Sequence, residues 1–139
     1  MATDNLSVEV VSATGIVWMG DAVAVIARTT EGDIGILPGH EPVLAVLVPC
    51  ALEVMATDTD REIIAVDGGF ISVSENHVSI ISQHSELAKT VSLREAELAY
   101  ASAKKDLDEG TVTEEIQHRY DRALSQLLAA RKQDSNRTV

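Results

Sequence analysis

From Leu6 to Ser82 apolar and polar residues alternate in short runs cut by Gly, Pro, Asp and Asn. An alternation of period two marks a strand with one face buried. Leu6, Val8 and Val10 share a face opposite Ser7 and Glu9, and Val78 and Ile80 oppose His77, Ser79 and Ile81. The pattern predicts strands at 6–12, 15–18, 22–28, 33–36, 42–47, 51–55, 62–66, 70–73 and 77–81. So many short strands with no helix between them point to a β-sandwich. The breaks have mechanisms: Asp67-Gly68-Gly69 supplies positive φ, Asn76 suits a tight hairpin, and Pro38-Gly39 ends the run 34–37.

After Ser85 the period lengthens to about three and a half. Ser92 followed by Glu95 is a capping box, and Leu93, Ala96, Tyr100, Ala103 and Leu107 form one helical stripe. Asp108-Glu109-Gly110 ends this helix, with Gly110 suited to a left-handed C-terminal position. Thr111 or Thr113 then caps a second helix, whose stripe is Ile116, Tyr120, Ala123, Leu127 and Ala130, widened by Leu124 and Leu128. The short turn predicts an antiparallel helical hairpin. Its narrow, Ala-rich stripes predict weak docking on the β unit, and residues from about 133 to 139 read as a disordered tail. The division is therefore 1–88 for the sandwich and 89–139 for the hairpin.

Composition refines this picture. The 139 residues are 45% hydrophobic but only 3% aromatic, so the core is aliphatic. The formal charge of -11 lies entirely before residue 89: residues 1–88 hold thirteen Asp and Glu against Arg28 and Arg61, while the remainder balances. That argues against nucleic acid and against direct contact with anionic lipid. Neither a membrane-spanning run nor a signal segment is expected, and the lone Cys50 fits a reducing compartment, so the sequence reads as cytosolic.

Enzymatic chemistry finds no framework. His40, His77, His84 and His118 are scattered without metal-ligand spacing, and no G-x-S-x-G elbow or phosphate-cradling loop with its Lys is present. Asp58 and Asp60 share a polar loop, where nothing separates their pKa values for acid and base roles. No catalytic residue, metal or cofactor is expected.

The segment Glu31-Gly32-Asp33-Ile34-Gly35-Ile36-Leu37-Pro38-Gly39-His40-Glu41-Pro42-Val43-Leu44 resembles the signature of epsilon subunits of F-type ATP synthases. Val66-Asp67-Gly68-Gly69-Phe70-Ile71-Ser72-Val73 and the strand from Asn76 to Ile81 resemble the next conserved block of that family. The resemblance runs through the whole chain in order. It implies an α+β protein, a flattened β-sandwich of about ten strands followed by a C-terminal antiparallel two-helix hairpin.

It further implies a non-catalytic subunit of the central stalk, peripheral at the cytoplasmic face of the cell membrane. The sandwich of such a subunit binds gamma and rests on the c-ring, coupling proton-driven rotation to ATP synthesis. The hairpin of such a subunit can either fold down on the sandwich or extend toward the alpha and beta subunits and block ATP hydrolysis. By this resemblance Glu31, Asp33 and His40 face basic loops of the c-ring, and Gly35, Pro38, Gly39, Gly68 and Gly69 shape turns. Arg119, Arg122, Arg131 and Lys132 would meet acidic residues of the beta subunits. Some relatives bind ATP through I-D-x-x-R-A, which here becomes Val91-Ser92-Leu93-Arg94-Glu95-Ala96. Glu95 sets a negative charge in place of the Arg, so tight ATP binding is not expected. The alternative from another class is a free-standing β-sandwich binding module that dimerises through its hairpin.

Overall fold

Ten strands form because the β-branched runs each bury alternate side chains, and they all join one sheet. The computed structural model describes residues 5–137. Its strands are β1 Leu6–Ser12, β2 Gly15–Ala22, β3 Ala24–Thr29, β4 Gly32–Ile36, β5 Val43–Leu47, β6 Cys50–Met55, β7 Arg61–Val66, β8 Gly69–Ser74, β9 His77–Ile81 and β10 Ser85–Leu87. A 3-10 turn, Ala88–Thr90, leads to α1 Leu93–Glu109 and α2 Glu114–Arg137.

The strand order is β10-β7-β6-β3-β5-β8-β9-β1-β2, with β4 paired to β3 off this path. All neighbours are antiparallel except β1 and β9, which run parallel with Ser7 opposite His77 and Val11 opposite Ile81. β10 at one end of the path touches β2 at the other, so the sheet curls into a flattened sandwich and its α+β architecture matches the expected one. The interior is aliphatic: Leu6, Val8, Val10, Val25, Ile36, Leu52, Val54, Ile64, Ile71 and Ile80 are all essentially inaccessible.

The sequence pattern gave no sign of β10, for a physical reason. Its segment is polar, yet Ser82 and Ser85 are buried because their hydroxyls hydrogen-bond each other. Asp67 adds a clamp: its carboxylate accepts from the His84 amide at 3.2 Å, and its own amide donates to the His84 carbonyl at 3.2 Å. β2 also runs beyond Trp18 to Ala22: Asp21 takes the outward phase opposite Ser7, while Gly20, opposite the buried Val8, lies against the Trp18 ring.

In the hairpin, Ser92 caps α1 by accepting from the Glu95 amide at 3.3 Å, and Thr113 caps α2 by accepting from the Ile116 amide at 3.2 Å. Gly110 departs from expectation. Its φ of -109° and ψ of 175° are extended rather than left-handed, which leads the chain straight into the Thr113 cap. The helices pack through Ala96, Leu127 and Ala130, with Leu93 and Tyr100 alongside.

Two further differences concern α2. It continues to Arg137, so residues 133–137 are helical rather than a disordered tail, while 138 and 139 lie outside the described residues. The absence of an apolar pattern did not stop a helix that is held upstream by tertiary contacts. The docking of α2 on the sandwich is also more extensive than its stripe implied. Ser125 and Ala129, both fully buried, form a second line beside the inter-helix stripe. Ala129 packs with Ile63, Ala65 and Ala88 on the outer face of β7, where small side chains permit close approach.

Candidate functional site

The functional surface has two sides, set by which outer face of the sandwich α2 covers. It lies over β6 and β7 and leaves the outer face of β5, β8, β9, β1 and β2 open. Register fixes what that open face presents. Val46 pairs with Phe70, Phe70 with Ile81, Ile81 with Val11 and Val11 with Ile16, which draws one apolar row across five strands. Phe70 is 52% exposed and Ile81 56% exposed. The next row runs Leu44, Ser72, Ser79, Glu9 and Met19, so two serines and one carboxylate lie between the apolar ends. A contiguous apolar row on an otherwise acidic domain is the composition of a protein interface. The sequence reading missed it, although each of these positions is apolar on the polar phase of its strand.

The residues singled out around the β4 segment do not converge. Glu31 occupies the β3–β4 turn, where its amide donates to Thr29 Oγ1 at 3.1 Å, and the Thr30 amide donates to the Val46 carbonyl at 3.0 Å. The Glu31 turn therefore borders the apolar row. Asp33 faces Arg28 across the β3–β4 pair and accepts from its Nε at 2.7 Å and its Nη2 at 3.4 Å. These hydrogen bonds, and the charges behind them, hold the Asp33 carboxyl below its ordinary range and raise Arg28. His40 lies past the other end of β4, about 17 Å of strand away from Glu31.

Near His40 the Gly39 amide donates to Asn76 Oδ1 at 2.7 Å, joining this loop to the tip of the β8–β9 hairpin. Pro38 sits in the same turn, where the His40 amide donates to the Leu37 carbonyl at 3.1 Å. Gly35 is not in a turn: it lies within β4 opposite Ile26. Gly68 and Gly69 open β8 with φ of 132° and 103°.

The hairpin cations divide into two groups. Arg119 pairs with Asp106 across the two helices, and Lys132 Nζ lies 2.6 Å from Glu53 Oε2 on the sandwich. Arg122 and Arg131 are exposed. Tyr100 and Tyr120 meet between the helices with ring centroids 5.6 Å apart, and the hydrogen bond with Tyr100 is the main cause pushing the Tyr120 hydroxyl up to about 12.

Conventional chemistry has little footing on this surface. Among the described residues no three His, Cys, Asp or Glu side chains gather to hold a metal. Cys50 is buried, and desolvation pushes its thiol up, away from the reactive thiolate. A hollow of about 240 Å³ opens where α1 begins, lined by Glu86, Thr90, Ser92, Glu95 and Gln126 among others. Its charged lining groups are both carboxylates, so a polyphosphate would meet repulsion without a compensating cation. Calorimetric titration of the chain with ATP is accordingly expected to show no binding at micromolar concentration, and Glu95→Arg, which restores the cation, is expected to improve affinity about tenfold or more.

The comparisons with known proteins agree with this geometry. The family model described as "ATP synthase, Delta/Epsilon chain, beta-sandwich domain" matches residues 5–88. An ATP synthase epsilon chain of Cutibacterium acnes is 44% identical over 134 residues, covering 91% of this chain and 92% of that one. One from Streptomyces griseus is 43% identical over 104 residues, covering 75% of this chain and 84% of its own length. Among solved structures, a chain of the Euglena gracilis mitochondrial ATP synthase superposes with a TM-score of 0.73 at 19% identity, over 96% of this chain and 82% of that chain. A chain from the central stalk and c-ring structure of the Tetrahymena thermophila enzyme gives 0.61 at 15% identity, over 96% and 98%. The sandwich, the hairpin after it and relatives that extend through both carry one conclusion: this chain belongs to the ATP synthase delta/epsilon chain family, among the epsilon chains.

Proposed function

We propose that the chain is a non-catalytic central-stalk subunit that couples c-ring rotation to ATP synthesis through a gamma subunit. The observation that carries this reading is the open apolar row of Val46, Phe70, Ile81, Val11 and Ile16. A surface of this kind, opposite the face that α2 covers, suits a stable protein partner of the stalk. The Glu31 turn beside it offers an uncommitted carboxylate to basic loops of the c-ring. Asp33 contributes less, because Arg28 already neutralises it. His40 serves a separate edge of the contact.

The hairpin is read as the regulatory arm. Folded, it lies on β6 and β7; extended, it would carry Arg119, Arg122, Arg131 and Lys132 to acidic surfaces of the alpha and beta subunits and slow ATP hydrolysis. No helix among the described residues is long and apolar enough to cross a membrane. The chain would accordingly sit at the cytoplasmic face of the membrane through its partners. A free-standing module dimerising through its hairpin has less support, because the apolar stripes of α1 and α2 pack against each other and the sandwich.

Phe70→Asp tests the reading. The side chain is exposed, so folding should survive, while a charge within the row is expected to weaken gamma binding about a hundredfold. Co-purification with gamma at wild-type yield would contradict the assignment of this face.

A further inference from the structure

We infer that Glu53 is the latch that holds the hairpin on the sandwich, and that its two cationic partners make the latch releasable. Glu53 points outward from β6, yet its side chain is only 8% exposed because α2 lies above it. One carboxylate oxygen, Oε1, is 3.0 Å from Arg61 Nη1 on β7. The other, Oε2, is 2.6 Å from Lys132 Nζ on α2. A covered carboxylate without a partner is costly, and this one has a resident partner and a visiting one. When α2 departs, Arg61 stays, so Glu53 is never left as an unpaired charge. Lys132 is carried away with the helix as an available cation.

Packing explains why the ion pair is needed at this point. Ala129 sits tightly on Ile63 and Ala65, but nearer the latch the helix and the sheet part to leave a cleft of about 510 Å³. Leu124 and Leu128 line that cleft with Val48, Pro49 and Ala51 and are only half-buried. Apolar contact therefore fastens one flank of α2, and the Glu53–Lys132 pair spans the flank that apolar contact leaves open. A second polar tie, Gln126 Nε2 donating to Glu86 Oε1 at 2.5 Å, secures the side toward β10.

This inference rests on reading the hairpin as an arm that leaves the sandwich, and it adds what controls the departure. Glu53 competes with any external acidic surface for the same lysine. An acidic partner surface thus releases the arm by exchanging one carboxylate for another, and the folded state weakens as salt screens the pair.

Hydrogen exchange of the full chain tests the latch. Lys132→Met keeps the aliphatic stem and removes the charge; it is expected to speed exchange of amides 124–131 about tenfold, with Lys132→Glu larger still and the sandwich strands unchanged. Arg131→Ala, which removes the neighbouring exposed cation, should leave these amides at the wild-type rate. Wild-type exchange in Lys132→Glu would overturn the latch. Glu53→Gln loosens the same pair and leaves Lys132 on the arm. Faster exchange of amides 124–131 in this variant, combined with unaltered ATP hydrolysis by the assembled complex, would leave the latch standing and overturn the inhibitory reading of the arm.

Discussion

Gly69→Ala is expected to destabilise the sandwich severely. A Cβ at this position would lie 2.0 Å from the Ile81 carbonyl oxygen and 2.9 Å from the Ser82 Cα. Both are backbone atoms, so no side-chain rotation relieves the overlap. The φ of 103° adds strain for any residue with a Cβ. Gly69 starts β8 and pairs with Leu47, so relief by backbone movement would pull β8 away from β5 or β9, in the middle of the strand path. The loss should exceed about 3 kcal/mol, a large part of the ~5–15 kcal/mol that holds a typical domain together. A fall in melting temperature of roughly 10 °C or more, followed by circular dichroism, is the expected result. Gly35→Ala is the matched control: its φ is not positive and nothing lies within 4 Å of the added carbon, so the melting temperature should stay within a few degrees. A fall of less than 2 °C for Gly69→Ala would contradict the packing described here.

Ala129→Trp is expected to lift α2 off the sandwich while leaving the sheet folded. Ala129 has no exposed surface and rests on Ile63, Ala65 and Ala88. An indole has no volume available there, and α2 can relieve the overlap only by moving away, because Ile63 and Ala65 belong to β7, which is hydrogen-bonded to a strand on each side. Arg119, Arg122 and Arg131 are exposed already, but trypsin needs the helix backbone around them to open. Once α2 leaves the sandwich it loses the contacts that hold it helical, and cleavage at these sites should accelerate about tenfold or more. The melting transition of the strands should persist. Cleavage at the wild-type rate would show that the contact of Ala129 with β7 does not hold the helix.

The particular residues show why some features were legible in the sequence and others were not. Alternation placed Leu6, Val8, Val10, Val78 and Ile80 inside because each strand buries one face, and Ser92 announced its cap through local chemistry with Glu95. β10 escaped because its burial depends on a serine pair that makes polar residues acceptable inside. Ser125 and Ala129 escaped for a related reason: a helix packed on two sides has two faces, and a single stripe describes only one. Glu53 carried no distinguishing signal in the sequence, since what covers it arrives from about eighty positions later in the chain. The motif around β4 carried the family resemblance, but pairing across strands separates Glu31 from His40 and commits Asp33 to Arg28.

The parallel pairing of β1 with β9 bears on how the chain comes to fold. β1 leaves the ribosome well before β9, one of its two neighbours, which follows about seventy residues later. Until residues 77–81 emerge, the β1–β2 hairpin has no strand to hydrogen-bond along the other edge of β1 and is not joined to the rest of the sheet path. Contacts between segments so distant in sequence delay closure and favour slow, cooperative folding. The amino-terminal hairpin is therefore the part of the nascent chain that most needs protection from aggregation, and its completion by β9 marks the point at which the sandwich can close.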